Sequence, residues 1–161
     1  MVREQYLIQV VRRQDLPDLL PLMRAYCDFY KVSPGDQALL RLATALIDNP
    51  ECEGTQLIAR EPDGRAVGFA TIFWSWSTTH ASRIGVMNDL FVAEGARGRG
   101  LAEDLVMACR SECSRRGARR LTWQTAPDNR RAQAVYERIG ATREQWVDYW
   151  LDVVDDSSTL R

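Results

Sequence analysis

With 161 residues, 45% of them hydrophobic and 27% charged, the chain has globular composition and length for one core rather than two ordinary domains. Its formal net charge of −1 gives no global basic field and argues against nucleic acid as a partner. No apolar run reaches the roughly 18 residues of a membrane helix, and no charged-then-apolar leader opens the chain. Four cysteines without a Cys-x-x-Cys pair, beside the single His80, offer little for a metal site; the simplest reading is a reduced, soluble, cytoplasmic protein.

Taken in order, Tyr6 to Val11 is rich in β-formers and reads as a first strand. Asp15 is placed to cap a helix carrying Leu16, Leu19, Leu20, Met23, Tyr26, Cys27 and Tyr30 at spacings of three and four. Pro17 suits a helix start, whereas Pro21 predicts a later start or a bend. Asp28, Phe29 and Tyr30 close this helix, either as an end packed on the core or as an acid beside aromatics that holds a cationic amine. A turn at Val32 to Gly35 leads to a second helix with Leu39, Leu40, Leu42, Ala43, Leu46 and Ile47, stopped at Asn49-Pro50. Gln56 to Arg60 reads as a short strand and Glu61-Pro62-Asp63-Gly64 as a hairpin turn. Arg65 to Trp76 reads as a long strand. Trp74 and Trp76 share a face near its end, as core or with one lining a binding site. His80 falls in a polar loop.

The segment from Gly85 to Arg110 carries the chemistry. A β-rich run to Val92 enters a turn, Arg97-Gly98-Arg99-Gly100, and then a helix with Leu101, Leu105, Cys109 and Cys113 on one stripe. Glycines let backbone N–H groups converge, the helix start adds the positive end of its dipole, and two arginines add full charge, which together suit a phosphate or pyrophosphate. A Walker loop is excluded because Leu101 and Ala102 follow Gly100, and a dinucleotide fingerprint because Glu103 stands where its third glycine would fall. The other basic clusters, Arg115 to Arg120 and Arg130-Arg131, read as solvated helix ends. Gly117 ends the helix, Arg120 to Thr125 is a strand, and Ala126-Pro127-Asp128 leads into a helix from Asn129 to Gly140. Gln145 to Val153 reads as a final strand containing Trp146, Tyr149 and Trp150, followed by a polar tail over 154–161.

Arg97-Gly-Arg-Gly100-Leu-Ala102 resembles the acetyl-CoA loop, Gln/Arg-x-x-Gly-x-Gly/Ala, of the GCN5-related N-acetyltransferase (GNAT) superfamily. Asn129-Arg-Arg-Ala132-Gln-Ala-Val-Tyr136-Glu-Arg-Ile-Gly140 is similar to that family's second pattern, Asn-x-x-Ala-x-x-x-Tyr-x-x-x-Gly, in the expected order. Asp89-Leu-Phe-Val92 and Trp123-Gln-Thr ahead of Asn129 look most like the branch of diamine/polyamine and histone/polyamine acetyltransferases. The resemblance implies one α/β (α+β) domain over 1–161, its core about 5–153. The expected fold is a mixed central sheet of about six or seven strands, with helices on both faces and central strands splayed to admit the cofactor.

It also implies acetyl-CoA as co-substrate, no metal, a primary amine acceptor, and a homodimer with the Trp146 to Trp150 strand as a contact. In that family the strand before the loop is bulged. Carried onto this chain, Leu90, Phe91 and Val92 hold the pantetheine through backbone atoms. Arg97, Gly98, Arg99, Gly100, Leu101 and Ala102 hold the pyrophosphate, and Asn129 and Ala132 belong to the same surface. Asp28, Phe29, Tyr30, Trp74 and Asn88 are the expected acceptor wall.

Amine acetylation requires deprotonation of an ammonium, stabilisation of the thioester oxygen and protonation of the thiolate. Tyr136 is the expected acid for the last step. Asn88 occupies the position where polyamine enzymes carry Glu, and it cannot accept a proton at neutral pH. Asp89 remains, acting either through a water or as a structural acid. Strand parity sends Asn88 and Asp89 to opposite faces. Three readings stand: a small-molecule amine acetyltransferase, an acyl-CoA-binding regulatory module, and a protein lysine acetyltransferase.

Overall fold

The computed structural model describes residues 6–153. The polar tail expected over 154–161 lies outside the described residues. Five strands form one sheet in sequence order: β1 (Leu7–Val10), β2 (Gly54–Arg60), β3 (Ala66–Ser77), β4 (Ser82–Val92) and β5 (Arg120–Thr122). The first four are antiparallel neighbours, and β5 runs parallel to β4. A parallel pair needs a crossover, supplied here by α3 (Leu101–Arg115).

Helices α1 (Leu16–Phe29) and α2 (Asp36–Asp48) cover one face, where Leu19, Met23, Leu39 and Ala43 meet Ile58, Phe69 and Phe91. Helix α3 covers the other, where Leu101, Leu105, Val106 and Cys109 meet Leu57, Ala70, Ile72 and Met87. Helix α4 (Arg130–Arg138) adds Tyr136 to the edge of that second core, joined by Ile139 just past its end. Leu19 and Leu105 are fully buried, and each contributes about 1.5–3 kcal/mol of transfer free energy. The Asp15 carboxylate is buried where α1 begins. It accepts from the Arg12 N–H at 2.9 Å and from Arg60 at 2.8 Å, which locks the start of α1 to the end of β2.

The sheet departs from expectation in four places. It has five strands among the described residues, and residues 145–153 form neither strand nor helix instead of the final strand. No described strand continues the sheet past β5, so that segment's alternating apolar residues have no surface to cover. Trp146, Tyr149 and Trp150 are 81–91% exposed. Pro21 neither delays nor breaks α1, because it sits exposed early in the helix and its i−4 residue is Pro17 in the first turn. Trp76 is not core: it stands 73% exposed near the outer end of β3, beyond the reach of either helix layer.

The fourth overturns the parity reading of Asn88 and Asp89, through the bulge that the resemblance implies for this strand. Thr71 pairs with Asp89, but the next residue of β3, Ile72, pairs with Met87, so Asn88 is an extra residue on β4. This bulge cancels the alternation of side chains. Asn88 and Asp89 therefore lie on one side, with the Asn88 amide donating to the Asp89 carboxylate at 2.9 Å.

Candidate active site

Strands β4 and β5 pair only over Ile84–Val86 and Arg120–Thr122. Beyond Val86 they separate, and the gap opens into a cavity of about 770 Å³. Its walls are the second half of β4, the segment 123–125, one face of α4, the start of α3 and the end of α1.

At one end the chain leaves β4 through a single 3-10 turn at Glu94–Ala96 and reaches α3 through Gly98 (φ 79°) and Gly100 (φ 90°). Both glycines hold the left-handed backbone that residues with a Cβ resist. The cap residue of α3, Gly100, has no side chain to cover the first turn, which lies at the cavity with the helix dipole behind it. Arg97 is folded onto β4, its Nε donating to the Val92 carbonyl at 2.8 Å and its guanidinium over the Phe91 ring. Gly100→Val places a β-branched residue at positive φ in this turn and is expected to weaken acetyl-CoA binding more than 30-fold. Isothermal titration checks it, and undiminished affinity removes the pyrophosphate from this loop.

At the other end the cavity is aromatic. Tyr26, Phe29 and Tyr30 from α1 face Trp123 and Tyr136, with the Trp123 and Tyr136 rings packed edge-to-face at 5.2 Å. Asn129 caps α4 by accepting from the Ala132 N–H at 3.2 Å, which orients the turn carrying Tyr136. Burial, with Tyr30 nearby, holds the Tyr136 phenol above its usual range, so it stays protonated as a donor.

Of the residues expected from sequence, Phe29, Tyr30, Asn88, Leu90, Phe91, Val92, Arg97, Gly98, Gly100, Leu101, Ala102, Asn129, Ala132 and Tyr136 line the cavity. Asp28 is exposed and Arg99 lies 3.5 Å from Glu61; neither is among the lining residues. Trp74 is not brought to the cavity. Its indole N–H donates to the Pro50 carbonyl at 2.8 Å and its ring lies under Arg83 and Arg116. Asp89 lies just beneath the wall and accepts from the Asn88 amide, with the Thr71 and Tyr26 hydroxyls beside it; burial raises its carboxyl above the usual range and these polar neighbours partly offset the rise. Sequence reasoning passed over Tyr26, Thr71 and Gln56. Polar side chains within the apolar runs of two central strands are the signal that marks the last two.

The profile of the Acetyltransferase (GNAT) family matches residues 19–141. The chain belongs to the GNAT family. It is an N-acetyltransferase, with acetyl-CoA as its co-substrate. This GNAT enzyme is 30% identical over 147 residues to YhfO, an uncharacterized N-acetyltransferase of Bacillus subtilis (strain 168), covering 91% of this chain and 97% of that one. It is 27% identical over 140 residues to the D-amino-acid N-acetyltransferase HPA3 of Saccharomyces cerevisiae, covering 86% of each. Its fold is similar to that of the aminoglycoside N-acetyltransferase AAC(6')-Iy, solved with CoA, at a TM-score of 0.80 and 21% identity over 92% of this chain and 95% of that one. The loop suits the co-substrate's anionic groups: its backbone turns at two positive-φ glycines, and the helix that follows starts at a glycine with no capping side chain. Among the described residues no cluster of His, Cys, Asp or Glu is placed to hold a metal, and no helix is long and apolar enough to cross a membrane.

Proposed function

We propose that this GNAT enzyme moves the acetyl group of acetyl-CoA directly to the primary amine of a small molecule, amino-acid-like rather than polyamine-like. The observation that carries the proposal is one continuous cavity with an anion-binding turn at one end and an aromatic wall at the other. Glu103 is the only carboxylate among its lining residues, and it accepts from Arg138 at 2.6 Å. A polycation would find no free row of acids there, whereas one ammonium on an apolar body fits aromatic faces. The similarity to a D-amino-acid N-acetyltransferase points the same way.

In the reaction the ammonium first loses one proton, of which Asp89 is the final acceptor, and the neutral amine attacks the thioester carbonyl. A C–N bond forms and the C–S bond breaks, Tyr136 gives its proton to the departing thiolate, and the second N–H proton, shed by the new amide nitrogen, returns through solvent to Tyr136. Leu90, Phe91 and Val92 take the pantetheine along the edge of β4 that faces away from β3 and has no β5 rungs, and the turn from Arg97 to Ala102 takes the pyrophosphate. The exposed apolar residues Trp146, Tyr149, Trp150 and Leu151 support a homodimer in which this segment is covered. Four free cysteines, two of them buried, suit a reducing cytoplasm.

The test is CoA-thiol release with D-phenylalanine, L-phenylalanine, spermidine, neamine and a lysine peptide. Acceleration by the amino acids above the others is the expected result. A preference for spermidine or neamine overturns the acceptor class. Silence throughout, with acetyl-CoA still bound, favours a regulatory acyl-CoA-binding module.

A further inference from the structure

A row of polar side chains crosses the otherwise apolar face of the sheet beneath α1. Gln56 on β2 pairs in register with Thr71 on β3, and Thr71 with Asp89 on β4, so all three project to the same side. Gln56 and Thr71 are 2% and 0% exposed. The Gln56 amide donates to the Thr71 hydroxyl at 3.0 Å, and Thr71 sits directly opposite Asp89 in the β3–β4 register, its hydroxyl beside the carboxylate. Such polar groups are costly inside a core unless their arrangement is used, and here the Gln56 Oε1 is left without a partner.

The row ends at the cavity. The Tyr26 hydroxyl donates to the Asn88 carbonyl at 3.3 Å and stands beside the Asp89 carboxylate, and the Tyr26 ring is part of the cavity wall. Asp89 is 9% exposed and is not among the residues that line the cavity. Tyr26 and Asn88 stand between the cavity and this carboxylate, and of the two only the Tyr26 hydroxyl can take a proton on one side while giving one on the other. We infer that the Tyr26 hydroxyl carries the acceptor's proton from the cavity to Asp89, with Thr71 and Gln56 as positioning residues that hold the carboxylate in place. This rests on the reading of Asp89 as the final base.

The step balances. An N–H bond of the ammonium breaks as an O–H bond forms on Tyr26. The original Tyr26 O–H breaks as one forms on Asp89. The ammonium becomes a neutral amine, Tyr26 is unchanged, and the carboxylate becomes a carboxylic acid. After the acetylated product leaves, the same path in reverse returns the proton to water. Burial and the Asp89 charge hold the Tyr26 phenol far above its usual range, so Tyr26 passes a proton without existing as phenolate. The groups facing Asp89 are Tyr26 and Cys27 from α1, with Asp28 beyond Cys27, together with Thr71 from β3 and Asn88 from β4.

The experiment is the pH profile of kcat/KM from pH 7 to 10, using whichever of D-phenylalanine, spermidine or neamine the parent enzyme acetylates fastest. Tyr26→Phe is expected to lower kcat/KM about 30-fold at pH 7 and only about 3-fold at pH 10, where a much larger share of the amine is neutral and needs no relay. Thr71→Val is expected to lower kcat about 10-fold, with Thr71→Ser restoring it, while the KM for acetyl-CoA holds in every variant. An equal Tyr26→Phe loss at both pH values reduces Tyr26 to a packing residue and overturns the relay. Asp89→Asn inactive beside a fully active Tyr26→Phe also overturns the relay but leaves Asp89 as the base. Full activity in Asp89→Asn, or silence of the parent with all three amines, overturns the underlying reading and the relay with it.

Discussion

Tyr136→Phe is expected to lower kcat about 100-fold with little change in acetyl-CoA affinity. The phenol stands on α4 at the cavity wall, its ring fixed edge-to-face against Trp123. Phenylalanine keeps that packing and removes only the proton. A thiolate leaving without an acid carries its full charge into a half-enclosed site, which raises the barrier by about 2.7 kcal/mol for a 100-fold effect. Because burial holds this phenol above its usual range, the parent enzyme keeps the proton well into alkaline pH, and the ratio of the two rates should stay flat from pH 7 to 9. Single-turnover rates with equal acetyl-CoA titrations in both proteins test this. Equal rates would remove Tyr136 from the mechanism.

Gly54→Ala is expected to cost about 3 kcal/mol or more of folding stability. A Cβ at this position falls 2.0 Å from the Ile72 carbonyl oxygen and 3.0 Å from the Phe73 Cα. Both are backbone atoms of β3, and that strand cannot retreat: the Ile72 side chain is fully buried and pairs with Met87 on the far side. The relief must come from lost β2–β3 pairing beside the core. Gly64→Ala is the control, because Gly64 sits at φ 90° in a hairpin turn with open space around it, and backbone strain alone costs about 1 kcal/mol there. Urea unfolding separates the two. The Gly54 midpoint should fall by about 1 M or more at unchanged slope, and a Gly54 midpoint no lower than that of Gly64→Ala would sink the steric argument.

The helices, all five strands of the sheet and the anion-binding turn are legible in the sequence because each depends on local pattern. Leucines at three- and four-residue spacing give α1 and α2, and the glycines of the turn announce positive φ. The bulge at Asn88 is not legible in the residues, since nothing in Met87-Asn88-Asp89 distinguishes an inserted residue from a paired one; only the register against Thr71 and Ile72 reveals it. The same limit separates Tyr26 from the site, because its helical stripe position reads as core whether or not the hydroxyl meets a carboxylate. Trp74 and Trp76 illustrate the converse. Strand alternation places them on one face, but it cannot say that the strand outruns the helices covering that face, so Trp76 meets solvent. For residues 145–153 the alternation is real and the partner strand is missing, which no property of the segment itself can supply.

The three-rung ladder between β4 and β5 divides the molecule by tolerance to change. Below Val86 each substitution meets register pairs and packed core, and selection there acts on folding. Past Val86 the two strands share no rungs, so the walls at 26–30 and 123–125 can exchange side chains without breaking a sheet bond. Acceptor choice can therefore drift over generations while the frame that binds acetyl-CoA stays fixed, and a laboratory library confined to those two stretches should keep most of its members folded.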